Sequence, residues 1–221
     1  MGQVLHRGRT RERASGRAVT EPCAGRHPPS WTLLITATVV VLAADLISKS
    51  VSFTHVAGQP VHVTRDNASM QGIIPDHPPI NVVPHVLAFQ LTLNTGAVFG
   101  LGQGAQWLFM LISVVAAAVI TYVFWTSRAG AIGTHVALAL ILAGAIGNLH
   151  DRIRFNAVRD MLLLFPGVRL PFGWRWPGDS DLVYPWIFNI ADVSLLAGVA
   201  IMFVVVARTS RPEPGAQTAH D

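Results

Sequence analysis

Four long apolar segments divide the chain, and each is long enough to cross a membrane as a helix. About 20 apolar residues are needed to span a hydrocarbon core about 30 Å thick. The segments that meet this requirement are residues 31–50, 105–125, 132–153 and 187–207. The second contains no charged residue, whereas the other three carry polar groups near one end. The pattern predicts an α-helical integral membrane protein with four transmembrane helices.

The two longer connections between these spans have a different character. Residues 51–104 contain three short stretches with the β-branched content and partial alternation of strands, separated by prolines. These stretches are residues 61–64, 80–83 and 86–93. They predict a small extracytoplasmic β-sheet between the first and second spans. In the other connection, residues 154–186, the tryptophan-containing part at 166–184 predicts an interfacial loop or hairpin, because tryptophan prefers the headgroup zone.

Composition and charge support a membrane protein with basic ends. With 51% hydrophobic and only 13% charged residues, the chain is too apolar for an ordinary soluble domain. Six arginines lie in residues 1–30, which we expect to be a disordered cytoplasmic tail attracted to anionic lipid. Nucleic-acid binding is the other interpretation of this arginine excess, and we do not favour it. Residues 209–221 form the second predicted cytoplasmic tail.

Orientation follows weakly from the positive-inside rule. If both tails and the turn at 127–130 share one side, that side holds nine arginines, and the opposite side holds seven basic residues. The rule therefore favours cytoplasmic termini by a small margin. Five of the seven lie between Asp151 and Asp181, where they could bind phospholipid headgroups or substrate.

Two aspartates stand at the ends of apolar spans, Asp160 just past the third and Asp192 just inside the fourth. An ionisable group at such a place is a functional hypothesis by default, because an unpaired charge in hydrocarbon is expensive. Alternating spans bring the polar ends of the first, third and fourth helices, and the segment that leads into the second, to one membrane face. The residues that this parity gathers are Gly96 and the polar residues Asp45, Lys49, Asn94, Asn148, Asp151, Arg152, Asp160, Asn189 and Asp192.

Helical spacing groups some of these residues further. Asp45 and Lys49 are four positions apart and share a helix face, as do Asn189 and Asp192, which are three apart. Asp45 and Lys49 could be a simple ion pair at a helix end. The three asparagines could cap helices or form hydrogen bonds between them.

Five short motifs resemble lipoprotein signal peptidase, also called signal peptidase II. They are Asp45-x-x-Ser48-Lys49, Asn94-x-Gly96-Ala97-x-Phe99, Gly147-Asn148-x-x-Asp151-Arg152, Val158-x-Asp160 and Phe188-Asn189-Ile190-Ala191-Asp192. The resemblance covers residues 31–208, with the motifs in family order. It implies a membrane peptidase domain with four helices and a small extracytoplasmic sheet.

The resemblance also implies an activity and roles for the residues. The family cleaves prolipoproteins just before a diacylglyceryl-modified cysteine, in the bacterial cytoplasmic membrane, and its catalytic pair corresponds to Asp160 and Asp192. The asparagines would line the site, and Arg152 would be a structural or substrate-contacting residue paired near Asp151. Two carboxyls sharing one proton supply both the base and the acid that amide hydrolysis needs. We expect no metal or cofactor, prolipoprotein substrates, surrounding membrane lipids and a monomer.

Some features depart from the family or permit other interpretations. Arg159 and Met161 flank Asp160 where the family more usually has apolar or aromatic residues, and 31 residues separate the two aspartates. A small transporter or proton relay could use the same carboxylates. A noncatalytic scaffold would leave the polar cluster at one face without an explanation.

Overall fold

The computed structural model describes residues 22–96 and 106–210. Within them, four helices follow in order: α1 (Pro28–His55), α2 (Gln106–Thr126), α3 (Ile132–Phe155) and α4 (Ile190–Thr209). All four are long and apolar enough to cross a membrane, so the predicted fold class is confirmed. Most of the arginine-rich tail, the motif positions 97–99 and the second tail from residue 211 lie outside the described residues.

The helix ends differ from the predicted spans for local reasons. α1 begins with Pro28 at its first position, where the missing N–H costs nothing, and continues to His55, so it is longer than the predicted 31–50. α3 continues to Phe155, two residues past the predicted end, and stops where Asn156 adopts a left-handed φ of 56°. α4 begins at Ile190. Asn189, predicted inside the span, is the cap that precedes it.

A four-stranded antiparallel sheet lies at one end of the helices, in the order β1 (Ile80–Val83), β2 (Leu87–Asn94), β3 (Val158–Leu164) and β4 (Ile187–Phe188). The predicted strands at 80–83 and 86–93 correspond to β1 and β2. The sheet is larger than predicted, because β3 and β4 come from the connection after α3 and β4 occupies the start of the predicted fourth span.

The predicted strand at 61–64 is wrong. The backbone N–H of Val61 donates to the carbonyl of Phe53 in α1, at 2.8 Å, instead of entering the sheet. Thr64 and Asn67 then form a turn, in which each side chain accepts from the other residue's backbone N–H, at 3.3 and 2.7 Å. Such local side-chain bonds compete with strand pairing.

A β-bulge in β2 lies directly beside Asp160. Phe89 pairs with Leu162, whereas Thr92 pairs with Asp160, so β2 has one more residue than β3 between these two pairs. A bulge bends the strand and re-aims its side chains. The bulge allows β2 to end with Asn94 opposite Val158, next to Asp160.

The segment between β3 and β4 folds back on itself as the predicted hairpin. The N–H of Leu170 donates to the carbonyl of Asp181 at 2.7 Å, and that of Val183 donates to Val168 at 2.8 Å. Trp176 fixes the outer part through its indole N–H, which donates to the carbonyl of Leu182 at 2.9 Å. The hairpin therefore has a defined structure.

The helices α3 and α4 pack at very short distance through glycine. A Cβ at Gly198 would lie 2.6 Å from the side chain of Ile141 and 2.7 Å from the carbonyl oxygen of Ala137. A Cβ at Gly144 would lie 2.4 Å from the carbonyl oxygen of Ala191. This close approach brings the end of α3 beside the start of α4, where the polar residues lie.

A Gly198→Ala substitution tests this packing. Alanine is favoured over glycine by about 1 kcal/mol in a helix interior, so the propensity effect alone would stabilise the protein. We expect the opposite, a loss of about 1–3 kcal/mol, because the added methyl overlaps backbone that cannot move aside. Thermal unfolding in detergent measures the change. Ala200→Val, which enlarges an exposed position of the same helix, is the control and should unfold near the native temperature.

Candidate active site

Lys49 of α1 is the centre of a buried ion cluster formed by Asp45, Lys49, Asp151 and Arg159. Its side chain is fully buried, and its ammonium lies 2.8 Å from Asp45 Oδ2 and 3.6 Å from Asp151 Oδ2. Asp45 Oδ1 also accepts the backbone N–H of Ala191 at 2.9 Å, which ties α1 to the first turn of α4. The predicted face shared by Asp45 and Lys49 is confirmed.

Glycine at position 147 makes room for this cluster. A Cβ there would lie 2.5 Å from Asp45 Oδ2. A side chain at position 147 would displace the carboxylate that Lys49 binds. The glycine of the Gly147-Asn148 pair therefore permits α1 and α3 to meet at the site.

Asn148 and Asn189 connect the ion cluster to the two candidate catalytic aspartates. Asn148 Oδ1 accepts from Lys49 Nζ at 3.2 Å and from Asn189 Nδ2 at 3.1 Å. Its amide nitrogen donates to Asp192 Oδ1 at 2.8 Å. Asn189 Nδ2 also donates to Asp160 Oδ1, at 2.6 Å. Both asparagines are thus bonded at both ends of the amide.

Asp192 and Asn189 also form a capping box at the start of α4. Asn189 Oδ1 accepts the N–H of Asp192 at 3.0 Å, and Asp192 Oδ2 accepts the N–H of Asn189 at 3.2 Å. This arrangement satisfies two backbone donors that a helix start leaves free. The Phe188-Asn189-Ile190-Ala191-Asp192 motif therefore both begins the helix and orients the carboxylate.

Asp160 is on β3 and is only 2% exposed. Burial and the charge of Asp192 raise the pKa of Asp160 from 3.8 to about 8. Hydrogen bonds from Asn189 and Asn94 and the charge of Lys49 act in the opposite direction and do not cancel this effect. Asp160 is consequently a neutral acid at pH 7.

Asn94 and Gly96 approach the site from the end of β2. The side chain of Asn94 is hydrogen bonded to Asp160 and also accepts the backbone N–H of Gly96 at 3.0 Å. A local bond of this kind fixes the turn that leaves the sheet. Of the Asn94-x-Gly96 motif, Asn94 therefore contacts Asp160 directly.

Arg159, not Arg152, is the arginine that pairs with Asp151. The guanidinium of Arg159 donates to both carboxylate oxygens, at 2.9 and 3.2 Å. Arg152 instead lies over the ring of Phe109 in α2, 5.3 Å from its centroid, and the charges of Asp192 and Asp160 act on it. Its buried Nε has no hydrogen-bond partner among the described residues. The charge of Asp151 also acts on Arg152, but the ion pair with Asp151 is made by Arg159.

Tyr184 is a site residue that the sequence did not indicate. It lies in the connection before β4, with its ring 6.0 Å from that of Phe188 and 5.3 Å from that of Trp186. Burial and the charges of Asp192 and Asp160 raise the pKa of its phenol. The only available signal was its position five residues before Asn189, and that spacing does not specify a contact.

No three His, Cys, Asp or Glu side chains are grouped to hold a metal ion in the described parts of the chain. The chemistry available from the residues is that of two aspartates, one buried on a strand and one half-buried at a helix start, joined by asparagine amides. Such a pair can exchange a proton with a water and a peptide group.

Known proteins resemble this chain both in sequence and in fold. The family model for signal peptidase (SPase) II matches residues 37–208. A lipoprotein signal peptidase of Latilactobacillus sakei is 34% identical over 125 residues, which are 57% of this chain and 72% of that protein. One from Mycobacterium bovis is 30% identical over 195 residues, 85% of this chain and 76% of that protein. A solved structure described as a bacterial membrane enzyme shares the fold, with a TM-score of 0.60 and 24% identity over 84% of this chain and 94% of that one.

The pKa of Asp160 can be measured by infrared spectroscopy. The difference between native protein and Asp160→Asn should contain a protonated-carboxyl C=O band that disappears as the pH rises through about 8. Between the ordinary pKa of 3.8 and the raised pKa of about 8, Asp160 holds a proton in the native state but not in the unfolded chain. The free energy of unfolding should therefore fall as the pH rises through this range.

Asp181→Asn, which changes a carboxylate of the hairpin paired with Arg169, supplies the control, since the band that Asp160→Asn removes should remain in this variant. A native spectrum without an Asp160 carboxylic-acid band at pH 6 would contradict the assignment.

Proposed function

The chain belongs to the signal peptidase II family, and we propose that it hydrolyses prolipoproteins just before a diacylglyceryl-modified cysteine, with Asp160 and Asp192 as its catalytic pair. Membership indicates a multi-pass bacterial membrane peptidase that removes signal peptides from prolipoproteins. The aspartic mechanism, the individual site residues and the orientation are our proposals.

One residue carries the assignment of the pair. Asn189 binds Asp160 through its side-chain amide, at 2.6 Å, and Asp192 through its backbone N–H, at 3.2 Å. A single residue thus contacts both carboxyls and holds them near each other. The charge of Asp192 also acts on Asp160, as expected of two carboxyls that share one proton.

The environments of the two carboxyls support different roles. Asp160 is buried, and its raised pKa favours the protonated form at neutral pH. Asp192 accepts N–H groups from Asn148 and Asn189 and lies in the first turn of α4, where the helix dipole stabilises a negative charge. Asp160 is therefore the general acid and Asp192 the general base.

Counting formal charges also favours one shared proton. The ion cluster contains two acids, Asp45 and Asp151, and two bases, Lys49 and Arg159, so it is neutral. The remaining charges are those of Asp160, Asp192 and the nearby Arg152. A single proton on the aspartate pair makes this group neutral too, which is the least costly state in a buried site.

Catalysis then follows without any other group. Asp192 removes a proton from a water, whose oxygen attacks the carbonyl carbon of the scissile peptide. Asp160 donates its proton to the carbonyl oxygen, which gives a tetrahedral gem-diol. As the C–N bond breaks, the proton that Asp192 gained passes to the leaving nitrogen, and Asp160 recovers a proton from a hydroxyl of the gem-diol. The pair ends with one proton, as it began. General acid–base catalysis of this kind contributes about 10²–10⁴ in rate.

The proposed orientation has cytoplasmic termini and the site at the extracytoplasmic face. The sheet, the hairpin and the polar ends of the helices share one side, and the turn with Arg128 lies at the other end of α2 and α3. We propose residues 1–30 and 209–221 as cytoplasmic tails and 31–208 as the peptidase domain. The protein would act as a monomer among membrane lipids, which also hold the acyl chains of the substrate.

Asp160→Asn and Asp192→Asn test the mechanism in cleavage assays with a diacylglyceryl-modified prolipoprotein. Each variant should lower kcat by at least about 100-fold, because each lacks the proton donor or acceptor. Asp160→Asn should unfold near the native temperature, since the amide replaces a carboxyl that is already neutral.

Asp181→Asn removes a partly exposed carboxylate of the hairpin, outside the site, and should cleave at the native rate. Native activity in either catalytic variant would rule out the aspartate pair. A chelator should leave the rate of cleavage unchanged, because the proposed mechanism uses no metal.

A further inference from the structure

Arg159 binds one carboxylate with both its side chain and its main chain. Its backbone N–H donates to Asp151 Oδ2 at 3.1 Å, Nε donates to the same oxygen at 3.2 Å, and Nη2 donates to Oδ1 at 2.9 Å. The side chain is 11% exposed and Asp151 is fully buried. A planar guanidinium that binds both oxygens of a carboxylate has little freedom.

This contact joins the last turn of α3 to the start of β3. Asp151 is in α3, which ends four residues later at Phe155, and Arg159 is the second residue of β3. The guanidinium also lies 4.5 Å from the ring centroid of Phe155, so it is held on two sides. The backbone immediately before Asp160 is therefore fixed to the helix that carries Asn148.

The same contact affects Asp192 by a second route. Asp151 lies 3.6 Å from Lys49 Nζ, which also donates to Asn148 Oδ1 at 3.2 Å. Asn148 in turn donates to Asp192. As long as Arg159 neutralises Asp151, Lys49 remains shared between Asp45 and Asn148. Without that charge, Lys49 and the imidazole of His150, which lies 3.3 Å from Asp151 Oδ1, would be the basic groups left beside Asp151, and Lys49 would move towards Asp151 and away from Asn148.

We propose that Arg159 is a positioning residue of the active site, which holds Asp160 through the β3 backbone and Asp192 through Lys49 and Asn148. Arg159 touches neither substrate nor the reacting atoms in this role. The inference rests on the proposed catalytic pair of Asp160 and Asp192. It assigns a function to a residue that the sequence indicated only as a departure from the family pattern.

The test compares Arg159→Met with Arg159→Lys in cleavage of a diacylglyceryl-modified prolipoprotein. Arg159→Met should lower kcat by about 10- to 100-fold, because small displacements of catalytic groups have effects of this size. KM should stay within about twofold, since the substrate contacts are unchanged. Arg159→Lys keeps the charge but not the two-oxygen contact, so its kcat should lie between those of native protein and Arg159→Met.

Arg154→Met is the matched control. Arg154 is exposed at the same end of α3, and its guanidinium also lies over Phe155, at 5.5 Å, but it does not bind Asp151. This variant should keep the native kcat and KM. If Arg159→Met matches Arg154→Met in kcat, or if its KM rises as much as its kcat falls, the positioning role is wrong. A kcat of Arg159→Lys no higher than that of Arg159→Met would also contradict the positioning role.

A double variant keeps the test decisive if Arg159→Met folds poorly. Asp151→Asn with Arg159→Met removes one acid and one base, so no uncompensated buried charge remains. It should unfold at a higher temperature than Arg159→Met and still cleave slowly, because the connection between α3 and β3 is lost. Native kcat in the double variant would overturn the proposal. If Asp160→Asn and Asp192→Asn retain cleavage, the proposed function fails instead, whatever Arg159 does.

Discussion

Mutual compensation of buried charge is the condition on which this structure depends. Lys49 and Asp151 are both fully buried at the ends of helices that cross a membrane, and removal of one partner from such a pair typically costs about 3–5 kcal/mol. Asp45 pairs with Lys49 on its own helix, whereas Asp151 of α3 is compensated by Lys49 of α1 and Arg159 of β3. Asp45 also accepts the N–H of Ala191 in α4, so these contacts bring α1, α3, α4 and β3 together. The asparagines extend the network to Asp160 and Asp192. Stability and the placement of the aspartates thus have the same origin.

A strand supplies one aspartate and a helix start supplies the other, and this difference has chemical consequences. Asp160 on β3 is enclosed by the sheet and loses access to water, which favours its neutral form. Asp192 lies where free N–H groups and the helix dipole favour a carboxylate. Two residues of the same type can then serve as acid and base. The close glycine contacts between α3 and α4 fix the distance over which Asn148 and Asn189 connect them.

The sequence was informative where the signal is local or periodic. Apolar length identified the spans, the spacing of Asp45 and Lys49 identified their shared face, and span parity predicted that the polar ends meet. The motifs identified the family, and the comparison with its model confirmed it. Long-range pairing was not predictable: β3 follows a helix without a clear strand pattern, and its pairing with β2 depends on a bulge. The family motif drew attention to Arg152 beside Asp151 and gave no indication of Arg159, which reaches Asp151 through the turn after α3.

The central claim is that Asp160 and Asp192 act as one unit that works with a single proton. The dependence of kcat on pH for cleavage of a diacylglyceryl-modified prolipoprotein tests it most directly. We predict that kcat falls as the pH rises through about 8, where Asp160 loses its proton. A kcat that stays constant or increases between pH 7 and pH 10 would contradict the claim.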